Sequence, residues 1–389
     1  MSSEQVSSSL FSEAFAMLRV LACTFASSGD RVLTLIDERI APVMEALPSQ
    51  AIVVNSEDGF YENLKKCATD ADLIVCVAPE TNGYLSLCNS LIEKVAPGKL
   101  VGCAEEFISL TGDKWQTALC WNSLKLSTPR TYRVRFDEAQ DLLQKKTSSY
   151  VAKPFDGVSG DGIVLLSTPE DLINAQQQLP YLVEGFFLLQ EFVKGIHGSL
   201  SYVCGDSPFL ISANRQMINI HEDDGSFEYL GGETPWQHLQ IPLISDRGKK
   251  FLEQLSGARG WVGIDFIADS TNYWFLECNP RVTSSVVGTW TLDSQAISAN
   301  LKAALNFEDH KLPPPGYSVY KKAVCMGAES WEETLMLMEK PGIVSPPFPF
   351  QDLACSFLTA KGSSRKEAQQ KMQSLENDLK KLKPIDGNK

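Results

Sequence analysis

Two carboxylates and one amide share a face of a predicted β-hairpin. The apolar runs WVGIDFIAD and YWFLECNPR flank a predicted turn, DSTN, at 269–272. Because side chains repeat every two residues along a strand, Glu277 and Asn279 share a face, and the turn places Asp265 directly opposite Glu277. Like charges about 5 Å apart destabilise a sheet unless a cation lies between them. Oxygen ligands without sulfur or imidazole suit Mg²⁺, with Mn²⁺ as a second choice, and the alternative is a solvent-exposed polar face.

A glycine-rich loop follows a lysine in the segment YVAKPFDGVSGDGIVLL, residues 150–166. A Walker A loop has its lysine after the glycines, at the start of a helix, whereas Lys153 precedes them here. Since apolar runs flank the loop on both sides, we predict a hairpin flap between two strands. Its glycines allow positive φ angles and let backbone N–H groups approach phosphate oxygens. The alternative is a plain glycine-rich turn with a surface lysine.

The elements that would position these groups begin with an open α/β domain over about residues 1–110. A helical pattern, FSEAFAMLRVLACTFAS, precedes three predicted parallel strands in RVLTLIDERI, QAIVVNS and ADLIVCVAPE. The last two are apolar without alternation, so we expect both of their faces to be covered. Ligands bind beyond the carboxyl ends of such strands, which makes Glu80 and Asn82 candidate substrate contacts. An ordinary helix-capping turn is the alternative there.

The rest of the chain predicts shorter strands and hairpins, with a helix starting at Thr111 or Asp113. Its last part contains proline-rich linkers, one strand in LACSFLTA and a charged terminal helix. The ten cysteines and four histidines do not cluster as a zinc site would require, so we expect reduced, buried thiols.

The overall charge disfavours polyanionic partners. The net charge of −13 and pI of about 4.9 repel a nucleic-acid backbone, so an anionic substrate needs a local cationic pocket. No stretch reaches the roughly 18 apolar residues of a membrane span, and the start lacks the features of a signal peptide. We therefore expect a cytoplasmic protein without a membrane partner.

Five segments in order resemble the ATP-grasp superfamily of carboxylate–amine ligases, over roughly residues 70–290. They are GDKWQTALCWNSLKLSTPRTY, VAKPFDGVSGDGI, LQEFVKGIHGSLSY, LISANRQ and GWVGIDFIADSTNYWFLECNPRVTSS. Within the superfamily, SEAFAMLRV, LTLIDERI, VAPETNG and LGGETP are similar to tyramine–glutamate ligases of methanofuran biosynthesis and their relatives.

The resemblance implies a combined α/β and α+β architecture, the ATP-grasp fold, in which two α+β lobes clamp ATP. It divides the chain into an N-terminal α/β domain, a small lobe with the flap, a large lobe with the metal site, and a C-terminal extension packed on the core. These correspond to residues 1–110, 111–187, 188–310 and 311–389.

The resemblance also implies a role for each motif residue. The α and β phosphates of ATP would contact Lys114 and Lys153, beneath a flap that includes Gly157, Ser159, Gly160 and Gly162. The adenine-binding hinge would be formed by Gln190, Glu191, Phe192 and Val193. Many relatives have a carboxylate for the ribose where this chain has His197. One or two magnesium ions would bind Asp265, Glu277 and Asn279. The transferring phosphoryl group would be stabilised by Arg281, and a second cation would be Arg215.

The implied reaction is phosphoryl transfer from ATP to a substrate carboxylate, followed by attack of an amine on the acyl phosphate. We expect glutamate or another acidic amino acid to be joined to an amine in the biosynthesis of a C1-carrier coenzyme. The alternatives are a dipeptide or polyglutamate ligase, a carboxylase-like enzyme, a non-catalytic ATP sensor and a kinase. We expect small-molecule partners and a homodimer.

Overall fold

The computed structural model describes residues 7–145, 148–157, 160, 162–350 and 353–381. Its strands are β1 Leu33–Asp37, β2 Gln50–Val54, β3 Thr131–Val134, β4 Tyr150–Lys153, β5 Val164–Leu166, β6 Phe187–Glu191, β7 Ile196–Cys204, β8 Pro208–Ile220, β9 Phe227–Thr234, β10 Gly260–Ala268, β11 Tyr273–Asn279, β12 Tyr317–Met326, β13 Ile343–Ser345 and β14 Leu353–Gly362. The helices are α1 Ser8–Ser27, α2 Glu57–Asp70, α3 Tyr84–Val95, α4 Glu105–Gly112, α5 Lys114–Ser123, α6 Phe136–Lys145, α7 Pro169–Ala175, α8 Tyr181–Glu184, α9 Ile241–Glu253, α10 Ser285–Leu292, α11 Ala296–Ala303, α12 Trp331–Glu339 and α13 Arg365–Leu379.

Two antiparallel sheets form the centre of the molecule. The large sheet has eight strands in the order β11-β10-β7-β8-β9-β12-β14-β13, and the small sheet has the order β3-β6-β4-β5. The small sheet encloses its own hydrophobic core, which includes Tyr150, Leu166 and Phe187. A cleft between the two sheets receives side chains from both, so the relative placement of the sheets determines the site.

The β10–β11 hairpin confirms the predicted pairing of Asp265 with Glu277. Asp269 closes the turn, because its carboxylate accepts hydrogen bonds from the backbone N–H groups of Thr271 and Asn272 at 2.7 and 2.6 Å. The register shifts between Asp265 and the following residue, so Leu276 has no direct partner on β10. This β-bulge offsets the short turn and brings the two carboxylates opposite each other.

The N-terminal sheet is smaller than the sequence predicts. Strands β1 and β2 pair in parallel, but the predicted third strand contributes only an isolated bridge between Ile74 and Leu100. The prediction that both faces of β2 are covered is also wrong, because Val53 on this strand is 43 % exposed. The apolar run of the predicted third strand packs its side chains against neighbouring cores instead of extending a ladder.

Helix α1 packs as a core element against the C-terminal strands. Its length and apolar composition would suit a membrane span, but nine of its 20 residues are buried inside the protein. Arg19 donates hydrogen bonds to the carbonyl oxygens of Ile343 and Val344 at 2.9 and 3.1 Å. Strand β12 pairs with β9 and β14, which places the C-terminal strands in the large sheet. Helix α1 and the C-terminal strands therefore meet at this sheet.

Candidate functional site

The cleft between the sheets encloses about 1170 Å³, including its part open to solvent. It collects polar side chains from four regions of the chain: helix α1, the small sheet, strands β7 to β9, and the β10–β11 hairpin with the segment after it. The polar or charged lining residues that bear on its chemistry are Glu13, Lys153, Gln190, Glu191, His197, Gln216, Tyr229, Asp265, Glu277, Asn279, Arg281 and Ser284.

The carboxylate pair forms the floor of the cleft. Asp265 and Glu277 lie opposite each other, and the amide of Asn279 contacts Asp265 at 3.4 Å. Burial and the charge of Glu277 raise the pKa of Asp265 well above its usual range. Burial alone would raise the pKa of Glu277 too, but the charges of Lys114 and Lys153 outweigh it and lower that pKa. Because the pKa values of the two carboxyl groups are shifted in opposite directions, the pair favours one shared proton or one bound cation.

The oxygen-bearing side chains on the hairpin can supply part of the coordination shell of a magnesium ion. Within the described ranges no group of three or more histidine, cysteine, aspartate or glutamate side chains could hold a metal by itself. Asp265, Glu277 and Asn279 offer two carboxylates and an amide. Mg²⁺ commonly binds through one or two carboxylates and completes its octahedron with water and phosphate oxygens.

Two buried lysines flank Glu277 from different elements. The ammonium of Lys114, at the start of α5, lies 3.2 Å from the carboxylate of Glu277 and donates to the carbonyl of Gly157 at 2.9 Å. Asp113 caps α5, as predicted, by accepting from the N–H groups of the first turn. The ammonium of Lys153, at the end of β4, donates to the side chain of Gln190 at 2.9 Å.

The environment of Lys153 suits an anion. Burial lowers the pKa of Lys153, the charge of Glu277 opposes this shift and the charge of Lys114 adds to it, and the resulting pKa is about 8. A bound phosphate would compensate the charge of both ammonium groups. The charges of the two lysines and of the carboxylate pair therefore favour a polyphosphate bound beside a divalent cation.

The glycine loop turns between β4 and β5, as a hairpin flap requires. Gly157, Gly160 and Gly162 have φ angles of 143°, 83° and 73°, which side chains rarely adopt. Gly160 lines the cleft, and the carbonyl of Gly162 accepts a hydrogen bond from Tyr181. Ser159 lies outside the described residues.

The predicted hinge lines the cleft where β6 leaves the small sheet. Gln190, Glu191, Phe192 and Val193 all border it, with His197 beside them on β7. Burial lowers the pKa of His197 to about 4, so its imidazole is neutral at pH 7. A neutral imidazole can exchange a hydrogen bond with a hydroxyl group without adding charge.

The two predicted substrate contacts of the N-terminal domain differ in position. Glu80 accepts a hydrogen bond from Arg281 at 2.8 Å, and both side chains are largely buried. Its second oxygen is buried and has no hydrogen-bond partner among the residues that the structure describes. The structure thus gives Glu80 a contact with the predicted catalytic arginine. Asn82 is exposed in a turn with φ of 56° and is not among the residues that line the cleft, so its predicted substrate contact stays a prediction.

The structure contradicts the predicted role of Arg215 as a second cation in the cleft. On β8 its neighbour Gln216 lines the cleft, whereas Arg215 points to the opposite face of the sheet and pairs with Glu233 at 3.8 Å. Alternation along the strand is the cause, because Arg215 pairs across the ladder with Gly198 and lies on the face of Trp236 and Phe266. It is therefore not placed to contact a phosphate in the cleft.

Sequence reasoning missed four of these polar cleft residues: Glu13, Gln216, Tyr229 and Ser284. Gln216 follows Arg215 in the motif LISANRQ, and its side chain contacts Asp265. Strand alternation was the available signal, but it does not say which of two neighbours faces inward. Glu13 had no local signal, because its partner Lys322 is 309 residues away.

Two domain families and several known proteins are similar to this chain in sequence. Residues 31–108 match a pre ATP-grasp 3 domain, and residues 111–285 match an ATP-grasp domain. Tyramine–L-glutamate ligase of Methanocaldococcus fervens is 31 % identical over 225 residues, which are 58 % of this chain and 64 % of that protein. The enzyme of the same name from Methanocaldococcus jannaschii is 26 % identical over 249 residues, or 64 % of this chain and 68 % of that one. The first alignment spans less than two thirds of its relative.

Solved structures share the fold across nearly the whole chain. The biotin carboxylase domain of Hydrogenobacter thermophilus 2-oxoglutarate carboxylase was solved with MgADP, ADP and bicarbonate. It superposes with a TM-score of 0.69 at 16 % identity, covering 93 % of this chain and 87 % of that one. The fold is thus the predicted ATP-grasp fold. With its two matched domains and this architecture, the chain belongs to the ATP-grasp superfamily, near the tyramine–glutamate ligases.

Proposed function

We propose that the protein is an ATP-dependent carboxylate–amine ligase that joins an acidic amino acid, glutamate first among them, to a small amine. The observation that carries the proposal is the carboxylate pair Asp265–Glu277, flanked by Lys114 and Lys153 at the floor of a cleft. Such a site neutralises phosphate charge but offers no nucleophile. The similarity to tyramine–L-glutamate ligases supports the choice of substrates.

In the proposed reaction, an oxygen of the substrate carboxylate attacks the γ-phosphorus of ATP, and the bond to the β-phosphate oxygen breaks. The products are ADP and an acyl phosphate. The nitrogen of the amine then attacks the acyl carbon, phosphate leaves, and the nitrogen loses a proton. Phosphoryl transfer of this kind depends on positioning and charge neutralisation, which lysine and arginine provide.

Each group has a role in this scheme. Lys114 and Lys153 bind the phosphates of ATP, and the glycine flap covers them. Asp265, Glu277 and Asn279 would hold magnesium, which would supply positive charge to neutralise the phosphate oxygens. Arg281, held by Glu80, stabilises the transferring phosphoryl group.

The hinge and strand β7 bind the nucleoside part of ATP. Backbone groups from Gln190 to Val193 read the adenine edge. The neutral imidazole of His197 contacts the ribose, where many relatives have a carboxylate.

The proposed biological setting rests on the resemblance of the sequence motifs to tyramine–glutamate ligases of methanofuran biosynthesis. We propose a role in the biosynthesis of a C1-carrier coenzyme, a cytoplasmic location and a homodimeric assembly. A dipeptide or polyglutamate ligase remains the alternative on the same fold, and a non-catalytic ATP sensor is the alternative of another class.

A phosphate-release screen tests the proposal. Purified protein with Mg–ATP is offered amino acids and amines singly and in pairs, beginning with L-glutamate and tyramine. We expect phosphate and ADP to form in equal amounts, with an amide product detected by mass spectrometry, only when both partners are present. A stable phosphorylated product would indicate a kinase, and ATP binding without phosphate release in any pair would indicate the sensor.

A further inference from the structure

The inner end of the cleft contains a buried ion pair that the ATP-binding groups do not explain. Glu13 of α1 and Lys322 of β12 are 7 % and 8 % exposed, and the Lys322 ammonium lies 3.5 Å from a carboxylate oxygen of Glu13. Lys322 also donates to the hydroxyl of Ser9 at 2.7 Å. These contacts fix the Glu13 carboxylate, which lines the cleft.

The surroundings of Glu13 suit a small polar ligand. Lys322 lies over the ring of Tyr229 at 5.3 Å from its centroid, and the Tyr229 hydroxyl bonds to Ser284 at 2.8 Å. Tyr229, Ser284 and Arg281 line the same end of the cleft as Glu13. This end therefore combines a fixed carboxylate, hydroxyl groups and an aromatic ring beside the predicted catalytic arginine.

The pair comes from segments outside the matched domains. The matched regions cover residues 31–108 and 111–285, so Glu13 precedes both and Lys322 follows both. Packing of α1 on the C-terminal strands brings the two residues together. The Glu13–Lys322 pair at the inner end of the cleft is thus supplied by parts of this chain that lie outside both matched domains.

The charge balance indicates which ligand fits. Glu13 with Lys322 and Glu80 with Arg281 each form a neutral pair. One carboxylate and the ammonium group of an amino acid would together keep this end neutral, with that carboxylate toward Arg281 and the ammonium toward Glu13. One carboxylate has about four lone-pair sites, so Glu13 can accept from a ligand in addition to Lys322 and its other contacts within the protein.

We propose that Glu13, held in place by Lys322, binds the ammonium group of the amino-acid substrate. Glu13 thereby distinguishes amino acids from simple carboxylic acids, and Lys322 acts as a positioning residue. This inference rests on the proposed ligase function and names a specificity group within it.

A comparison of L-glutamate with glutarate, which lacks only the ammonium group, tests the assignment. With tyramine and saturating Mg–ATP, wild-type protein should use glutamate with a kcat/KM about 10- to 100-fold above that for glutarate, the range of one charge-assisted hydrogen bond. Glu13→Gln should reduce this ratio to near one by lowering kcat/KM for glutamate alone. Glu13→Asp, which keeps the charge, should restore part of the preference.

Two further variants separate recognition from stability. Lys322→Met should raise the KM for glutamate while leaving the KM for ATP unchanged, which a merely structural ion pair would not do. The control is Glu376→Gln, which breaks the neighbouring pair Lys321–Glu376 on the opposite face of β12. It should lower the thermal midpoint without changing the glutamate-to-glutarate ratio.

A binding measurement distinguishes failure of this inference from failure of the proposed function. L-Glutamate in the presence of Mg–ADP should raise the melting temperature of wild-type protein more than that of Glu13→Gln, whether or not phosphate is released. Equal shifts in the two proteins, or an unchanged substrate ratio, would overturn the role of Glu13. Absence of phosphate release from wild-type protein would count against the ligase alone.

Discussion

The two faces of the large sheet differ in how their buried carboxylates are neutralised. On the face covered by α13, the carboxylate of Glu233 contacts Arg365 at 2.7 Å and Arg215 at 3.8 Å. It also accepts from Gln369 at 2.7 Å. On the cleft face, Asp265 faces Glu277, and within the part of the chain that the structure describes no lysine or arginine forms an ion pair with Asp265.

This difference shows where an additional charge is needed. The carboxylates under α13 are compensated by protein groups, so that face is complete in itself. The cleft face has two carboxylates in contact and two buried lysines, Lys114 and Lys153, at one end. A divalent cation and a polyphosphate would compensate both sets at once, which is the physical basis of the proposed function.

Neutralising either carboxylate of the cleft should have the largest effect. We expect Asp265→Asn or Glu277→Gln to lower kcat by at least about 10²–10³-fold, because each removes charge that holds magnesium on the reacting phosphate. Phosphate release measures the loss, and circular dichroism checks the fold. A near-normal rate in either variant would contradict the metal assignment.

Removing one cation from each face should give the sharpest contrast. Lys153→Met should raise the KM for ATP about 10- to 100-fold, because it removes a charge-assisted hydrogen bond in a buried site. Arg215→Met should change the rate less than about twofold and cost less than ~1 kcal/mol of stability, since its pair with Glu233 is partly exposed. If Arg215→Met impaired ATP use as strongly as Lys153→Met, the assignment of Arg215 to the opposite face would be wrong.

The smallest expected effect concerns stability and pH. The raised pKa of Asp265 means that the folded state retains a proton that the unfolded chain releases above about pH 3.9. Ionisation of Asp265 therefore reduces the stability of the metal-free protein as pH rises toward neutrality. Asp265→Asn should remove this contribution, which melting curves in EDTA from pH 5 to 8 can measure.

Mg–ATP should reverse that loss in wild-type protein. At about one hundred times its dissociation constant, a ligand stabilises the folded state by about 2.7 kcal/mol, and the same concentration should stabilise Asp265→Asn far less. Equal pH dependence of wild type and variant in EDTA would show that Asp265 is ionised without penalty, and the contrast between the two faces would then lose its basis.

Local patterns predicted the hairpin and the flap well. The alternation around Asp265 and Glu277 and the turn closed by Asp269, together with a β-bulge at Leu276 that the pattern did not predict, determine which side chains face each other. The order of lysine and glycines around Lys153 likewise predicts a strand-to-strand turn. Interactions of this range depend on residues close in sequence, so the sequence alone specifies them.

Longer-range features were beyond local reasoning. The predicted third strand near Ile74 lacks a continuous ladder because its partner at Leu100 offers one bridge only. The face of Arg215 follows from its ladder neighbour Gly198, which the strand's own alternation does not reveal. In both cases the neighbouring strand decides the outcome.

The sequence by itself determined the chemistry of the nucleotide end, because acids, lysines and glycines occur there in short motifs with their own spacing. Only the tertiary structure decided the inner end of the cleft, where Glu13 and Lys322 meet from positions 309 residues apart. The physical reason is that packing of α1 against the C-terminal strands places them together, and no local periodicity encodes which distant surfaces will be buried against each other.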